Sequence, residues 1–324
     1  MKAQVALVKC AGYEPAVVSK AVKQAVELIG GLNKYIPPGS RVLVKPNLLM
    51  AKEPEFAIDT HPEVVRAVVK ILKEINCRVV IGDGPSVWGS QAEDIDSVYE
   101  KSGIRKVALE EGAELVKFEK KRWRGKFPLT GWLDECDCFV NLPKLKTHEF
   151  TVMTAAVKNL FGLIPGNFKT ELHKQYFYPE DFSRILLDIY LEAKPHLTII
   201  DGVSVIEGDG PATSGKKRSL NLLLAGENCL ALDFVAAKIM GVDPLEVPTN
   251  KEGVARGLGI GGMKDIEILG ESIESLNLRP FILPAASMLR KVPPVLVKLA
   301  RKLLKFYPCV EKDNCVKCAA CIQA

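Results

Sequence analysis

The chain has 324 residues, of which 48% are hydrophobic and 26% charged, and its formal net charge at pH 7 is +5. This composition predicts a globular protein of one large or two ordinary domains, and the charge, with no basic stripe of interleaved aromatic residues, argues against nucleic-acid binding. Because no apolar run approaches the length of a membrane span and no signal-peptide pattern opens the chain, we expect no transmembrane segment.

Apolar strands alternate with amphipathic helices through the first 275 residues. The strand "AQVALVKC" precedes a helix with apolar residues on one face, and the strand "RVLVKPN" follows it. The next helix lies in "DTHPEVVRAVVKILKEI", where Thr60 and Glu63 have capping-box spacing and Pro62 stands in the first turn. Further helices are expected near residues 180–193 and 228–240, and further strands at "RVVIGDG", "AELVKF", "CFVNLPKL", "LTIIDG", "LNLLLAG" and "IEIL". This alternation predicts an α/β fold, with a mostly parallel sheet and helices on both of its faces.

The character of the sequence changes at about residue 276. Residues 276–306 are basic and rich in proline, and we expect them to connect the 1–275 core to a last segment, 307–324. The connector ends in a short basic amphipathic helix, residues 295–305. This helix is expected to pack on the core or on a following domain, with contact to a membrane surface as the alternative.

The cysteines of the last segment have the spacing of an iron–sulfur site. Cys315, Cys318 and Cys321 match the first three ligands of the bacterial run C-x2-C-x2-C-x3-C-P. The fourth cysteine of the run is missing, so we expect a truncated ferredoxin-like segment with an incomplete set of 4Fe–4S ligands. Cys309 is a further candidate ligand. The other five of the nine cysteines are scattered through the core, a usage that points to a reducing cytoplasm and to metal rather than disulfides.

Polar side chains follow the predicted strands at their carboxyl ends, where open α/β sheets bind ligands. They are Lys45, Asn47, Asp83, Asn141, Lys144, Lys146, Thr147, His148, Asp201, Glu207 and Gly208. Burying an ammonium group without a counter-charge costs several kcal/mol, so the lysines need anions. Either neighbouring carboxylates such as Asp83 and Asp201 neutralise them, or a phosphate or carboxylate ligand does. His148 and His173 are candidate proton carriers, although a lone histidine is also commonly a simple hydrogen-bonding residue.

Several of these segments together resemble a known family. "VLVKPNL", "THPEVVRAVV", "VVIGDGP", "NLPKLKTHEFTVMTAAVKNLFGLIPG", "DGVSVIEGDGP" and "ALDFVAAKIMG" occur in this order. The chain resembles the family catalogued as domain of unknown function 362 over residues 1–275, most specifically over 141–166. The resemblance implies an α/β core joined to a 4Fe–4S electron-transfer module, and it carries no reaction with it. It draws attention to the polar residues that match the family's motifs, which are Lys45, Asn47, Lys144, Lys146, His148, Lys158 and Asn159.

Two functional hypotheses follow. The first is an iron–sulfur redox protein that passes electrons between the tail cluster, a redox partner protein and an anionic substrate or cofactor in the strand-end crevice. Lysines would hold the anion, and His148 or His173 would deliver a proton. The second is a non-redox enzyme, or a binding protein, for a phosphorylated or carboxylated metabolite, with a structural cysteine tail.

Overall fold

The computed structural model describes residues 2–84, 87–88, 91–92, 94–166 and 168–285. The predicted amphipathic helix at 295–305 and the cysteine segment at 307–324 lie outside the described residues. The described chain therefore corresponds to the predicted core and to the first residues of the connector.

The described strands are β1 (Ala3–Lys9), β2 (Arg41–Pro46), β3 (Arg78–Asp83), β4 (Val87–Trp88), β5 (Gln91–Ala92), β6 (Glu114–Lys117), β7 (Lys121–Arg124), β8 (Phe127–Thr130), β9 (Cys138–Leu142), β10 (Lys144–His148), β11 (Val152–Thr154), β12 (Leu197–Gly208), β13 (Gly215–Gly226) and β14 (Ile266–Gly270). Ten of them form one sheet in the order β14–β1–β13–β12–β9–β2–β3–β6, with β10 beside β12 and β11 beside β10. The strands β6, β3, β2, β9 and β12 run parallel, whereas β13 is antiparallel to both β12 and β1. The prediction of a mostly parallel sheet is confirmed.

Helices cover both faces of the sheet, as predicted. They are α1 (Pro15–Leu28), α2 (Pro62–Glu74), α3 (Ile95–Lys101), α4 (Ile104–Glu111), α5 (Trp132–Glu135), α6 (Ala156–Asn159), α7 (Phe168–Gln175), α8 (Pro179–Ala193), α9 (Cys229–Ile239) and α10 (Pro248–Ala255). Because side chains alternate along a strand, Val42 and Val44 of β2 pack with α1 to α4, and Leu43 packs with α6, α8 and α9. The core is thus two apolar layers divided by the sheet.

One predicted strand is two strands in the structure. The segment "CFVNLPKL" divides at Pro143 into β9 and β10, because proline has no N–H to donate to a ladder. The carbonyl of Pro143 still accepts from the Asp201 amide at 2.8 Å. The consequence is a register in which Lys144 stands directly opposite Asp201 of β12.

The predicted capping box at the start of α2 is wrong. His61 occupies the N-cap position, and its Nδ1 accepts from the Glu63 amide at 3.2 Å. The hydroxyl of Thr60 is already committed, since it donates to the Leu142 carbonyl at 2.6 Å and accepts from the Asn47 amide at 2.8 Å. Thr60 therefore ties the end of β2 to the end of β9 instead of capping the helix.

Candidate functional site

A fully buried ion pair joins β10 to β12. The Lys144 ammonium lies 2.7 Å from Asp201 Oδ2 and donates to the Tyr13 hydroxyl at 2.7 Å, and that hydroxyl donates to Asp201 Oδ1 at 2.9 Å. The His61 amide also donates to Asp201, and the His61 and Tyr13 rings stack with centroids 3.5 Å apart. Burial lowers the pKa of Lys144 despite the neighbouring carboxylate, and it lowers the pKa of His61 to about 4. Within the described residues this network provides hydrogen-bond donors to both carboxylate oxygens of Asp201.

A second buried ion pair joins β2 to β3. The Lys45 ammonium lies 2.8 Å from Asp83 Oδ1 and donates to Asn159 Oδ1 at 3.2 Å. The Asn159 amide in turn donates to Asn141 Oδ1 at 2.8 Å, which carries the network across to β9. A Cβ atom on Gly162 would stand 2.4 Å from Asp83 Oδ1 and 2.6 Å from Lys45 Nζ. The backbone at Gly162 therefore closes over this pair so tightly that no side chain fits there.

Lys146 faces a different carboxylate. Its ammonium donates to the Ile58 carbonyl, next to Asp59 in the segment between β2 and α2. Burial raises the pKa of Asp59 to about 7, against the effect of Lys146, and burial lowers the pKa of Lys146 to about 8. Asp59 Oδ1 accepts from the Leu49 amide, but Asp59 Oδ2 and Asn47 Oδ1 are buried with no hydrogen-bond partner among the described residues. Two buried acceptor atoms in this part of the site thus receive no hydrogen bond from the described residues.

Two further lysines complete the cluster from α6 and α7. The Lys158 ammonium lies 5.0 Å from the Phe161 ring centroid and 5.4 Å from that of Phe182, and no carboxylate in the described part of the chain pairs with it. Burial, then the nearby Lys146 and Lys169, lower the pKa of Lys158 to about 7. Lys169 donates to the Gly84 carbonyl at 3.0 Å, and burial lowers its pKa to about 8. Within the described residues, Lys158 thus adds to this side of the site a positive charge that no carboxylate pairs with.

The helix that carries Lys158 is held by a buried carboxylate on α9. Asp233 accepts from the amides of Ala156 and Val157, at 2.7 and 3.2 Å. These N–H groups belong to the first turn of α6, where they have no partner within the helix. Asp233 therefore caps the N-terminus of α6, although it is far from α6 in the sequence. Burial raises the pKa of Asp233 to about 7.

The two predicted proton carriers make mainly structural contacts. His148 Nδ1 accepts from the amides of Phe150 and Thr151, at 3.0 and 3.3 Å, which stabilises the turn between β10 and β11. The His173 ring stacks on Phe182 at 4.5 Å, and burial against the rings, then Lys158, lowers its pKa to about 3. His173 is thus neutral at pH 7 and is a weak base, which does not favour it as a proton carrier.

The remaining predicted residues join β12 to its neighbours β10 and β13. Thr147 donates to the Gly208 carbonyl at 2.9 Å. Glu207 binds Arg218 at 3.3 Å and also Arg279, and it thereby fixes the start of the connector against the sheet. The structure therefore gathers Lys45, Asn47, Asp83, Lys144, Lys146, Lys158, Asn159 and Asp201, and it assigns Thr147, Glu207 and Gly208 to contacts between strands.

The sequence analysis missed Asp59, Lys169, Tyr13 and Asp233. None of them ends a strand: Asp59 and Tyr13 lie in connections, and Lys169 and Asp233 lie on helices. For Asp59 a signal existed, since it lies only a few residues before the predicted start of α2 in the same segment as Thr60. Among the described residues no group of three or more His, Cys, Asp or Glu side chains is arranged to hold a metal ion.

Comparison with known proteins decides the family. The sequence profile of the family described as "Domain of unknown function (DUF362)" matches residues 42–238. Thylakoid-associated protein sll1697 of Synechocystis sp. is 32% identical over 256 residues, which cover 77% of this chain and 78% of that protein. The chain belongs to the DUF362 family. The resemblance read from the sequence motifs is confirmed.

The five lysines of the site and the three aspartates Asp59, Asp83 and Asp201 lie inside the part of the chain that matches DUF362. A solved structure, lactate racemase apoprotein from Thermoanaerobacterium thermosaccharolyticum, is similar with a TM-score of 0.46 and 14% identity, over 75% of this chain and 58% of that chain. Searched over the described residues, the DUF362 core contains no helix long and apolar enough to cross a membrane.

Proposed function

We propose that the DUF362 core of this chain binds a small organic anion, a phosphorylated or carboxylated metabolite, at the lysine cluster formed by Lys45, Lys146, Lys158 and Lys169. The observation that supports this proposal best is the Lys158 ammonium, which has aromatic rings but no described carboxylate beside it. Asp83 and Asp201 neutralise Lys45 and Lys144, so the first alternative raised by the sequence accounts for those two lysines. An anionic group at Lys158 supplies the counter-charge that the described residues do not provide there.

The other side of the site favours a ligand with hydrogen-bond donors. Asp59 Oδ2 and Asn47 Oδ1 are buried acceptors without a described partner, and such atoms are costly unless a bound molecule donates to them. A hydroxyl or amino group on the metabolite meets this need. Asp59 and Lys146 together hold protons that titrate near neutral pH, so we propose them as the pair that exchanges a proton with the bound molecule.

Anion binding predicts a rise in thermal stability. In a buffer free of phosphate and sulfate, adding phosphate, sulfate or a small hydroxycarboxylate should raise the melting temperature, because a ligand that binds only the folded state stabilises it by about 2.7 kcal/mol at 100 times its Kd. Lys158→Gln should weaken binding by about 1.5–3 kcal/mol, the value of a charge-assisted hydrogen bond. Differential scanning fluorimetry across a concentration series measures both effects.

The matched control is Lys20→Gln, on the exposed side of α1, which should respond to anions like the wild type. If no anion shifts the wild-type melting curve at millimolar concentration, the core does not bind this class of ligand. If Lys20→Gln and Lys158→Gln lose the response equally, the effect is non-specific screening.

A second function rests on the cysteine spacing alone. We propose that Cys315, Cys318 and Cys321 ligate a 4Fe–4S cluster, with Cys309 as candidate fourth ligand, and that the cluster exchanges electrons with a partner protein and with the anion held by the core. This redox proposal keeps the protein in a reducing, cytoplasmic setting. Ligation of the cluster and binding of the anion can each fail without the other, whereas electron exchange with the anion needs both.

Iron reconstitution under anaerobic conditions tests the cluster. We expect the chain to bind fewer than the roughly four irons of a complete cubane, because the run lacks its fourth cysteine ligand. Cys318→Ser should remove the bound iron and the absorbance near 400 nm, and Cys136→Ser, which alters a half-buried core thiol, should not. Equal iron and sulfide in Cys318→Ser and the wild type would contradict the proposal, and loss in Cys309→Ser would identify the fourth ligand.

A further inference from the structure

A small hairpin, β7–β8, stands apart from the main sheet and presents an unusual surface. Every residue of β8 is buried, whereas Lys121, Arg122 and Trp123 of β7 are exposed. The two strands pair only with each other among the described residues, so β7 is a free edge. The turn at Gly125, with φ +55°, closes the hairpin.

Trp123 is the most exposed aromatic side chain of this surface. It is 68% exposed, and its aromatic contact in the described structure is an edge-on approach to Phe168 at 6.1 Å between centroids. An indole that is left in water forfeits a large part of the hydrophobic stabilisation that its burial would give. Its position therefore indicates a surface that the described residues leave uncovered.

Five cations lie within three residues of Trp123 in the sequence, and two of them are paired with carboxylates. Lys120 and Arg124 have acidic partners, Glu135 at 3.5 Å and Asp134. Lys121, Arg122 and Lys126 have no carboxylate partner in the described part of the chain. The sequence as a whole has no basic stripe with interleaved aromatic residues. This hairpin has such a pattern over a few residues only.

Charge on a free edge strand has an ordinary explanation, since lysine and arginine discourage edge-to-edge aggregation. That explanation covers Lys121 and Arg122 but not the exposed indole, which promotes association rather than preventing it. The combination of an exposed tryptophan with unpaired cations is the pattern found where proteins meet anionic membranes. The indole lies at the level of the headgroups and the cations bind the lipid phosphates.

We propose that the β7–β8 hairpin docks this protein on the surface of an anionic lipid bilayer, with Trp123 in the headgroup region and Lys121, Arg122 and Lys126 on the phosphates. Charge complementarity selects a negatively charged surface. The single exposed indole on an exposed edge favours a bilayer over single-stranded nucleic acid, which needs a row of stacking rings along a basic groove. Docking on lipid is a separate property from the anion site of the core, because no residue of the hairpin belongs to that site.

Vesicle co-sedimentation of the full chain tests the proposal. The wild type should bind phosphatidylcholine–phosphatidylglycerol vesicles, should bind phosphatidylcholine vesicles much less, and should be released by salt. Trp123→Ala and the double variant Lys121→Glu/Arg122→Glu should each bind the anionic vesicles about tenfold or more weakly. The matched controls are Leu109→Ala, which removes an exposed apolar side chain on α4, and Lys20→Glu/Lys216→Glu, which reverses two exposed charges elsewhere.

The fluorescence of Trp123 gives an independent readout. Its emission should shift to the blue when anionic vesicles are added, and Trp123→Ala should lose that shift at an unchanged melting temperature. Three outcomes overturn the proposal: no binding of the wild type to anionic vesicles, wild-type binding by both hairpin variants, or binding of an RNA oligonucleotide in place of vesicles.

Discussion

Asp201→Ala is expected to lower the free energy of unfolding by about 3–5 kcal/mol, the cost of leaving a buried charge without its partner. The variant removes the acceptor of the Lys144 ammonium, of the Tyr13 hydroxyl and of the His61 amide at once. Lys144 is fully buried, so water cannot replace the lost carboxylate. Urea denaturation, with the slope held as a check on two-state behaviour, measures the change.

The control for this experiment is an ion pair of similar length at the surface. Asp188 lies beside Arg256 and is 36% exposed, and Asp188→Ala should cost no more than about 1 kcal/mol. Asp201→Asn keeps the shape of the side chain and two of its acceptor contacts. Its loss of unfolding free energy should therefore fall between those of Asp188→Ala and Asp201→Ala. A cost for Asp201→Ala that equals the cost for Asp188→Ala would show that the buried network does not hold β10 to β12.

Lys158→Met should make the ligand-free protein more stable at pH 7, by about 1–3 kcal/mol after allowance for its partial exposure. The folded-state pKa of Lys158 is about 7, below its ordinary value of 10.5. Between these two values the unfolded chain binds more protons than the folded protein, so wild-type stability rises with pH from about 7 to 10. Below pH 7 the folded protein carries the penalty of a largely buried ammonium that has no carboxylate partner among the described residues, and methionine removes this penalty.

The measurement compares urea unfolding at pH 7 and pH 10 for the wild type, Lys158→Met and Lys20→Met. The difference between wild type and Lys158→Met should shrink at pH 10, whereas Lys20→Met should follow the wild type at both pH values. The same variant should lose the response to anions, since a destabilising charge that is kept for binding is typical of a functional site. A Lys158→Met protein that is less stable than wild type at pH 7 would show that the lysine is part of the fold instead.

The sequence predicted the architecture because apolar periodicity directly reports which residues face the two core layers. The lysines at the ends of β2 and β9 could also be predicted to gather, since parallel strands end at one edge. Lys169 and Asp233 could not, because a position on a helix carries no information about which strand end it approaches, and the signal for Asp59 was only its place in the segment before α2. The pairing of Lys144 with Asp201 depends on the register of β10 against β12 after the break at Pro143, and the pairing of Lys45 with Asp83 depends on the parallel neighbours β2 and β3. The cysteine tail lies outside the described residues, and its cluster stays a prediction.

The support of α6 by Asp233 has a consequence for the rate at which a ligand is captured. A four-residue helix has no stability of its own, so the position of Lys158 and Asn159 depends on the buried carboxylate of α9. The amide hydrogens of Ala156 and Val157 are therefore expected to exchange with deuterium slowly, at the rate set by opening of the core. We expect the site to need little ordering when an anion binds, so little conformational entropy is lost on binding. The association rate should then be governed by diffusion and charge.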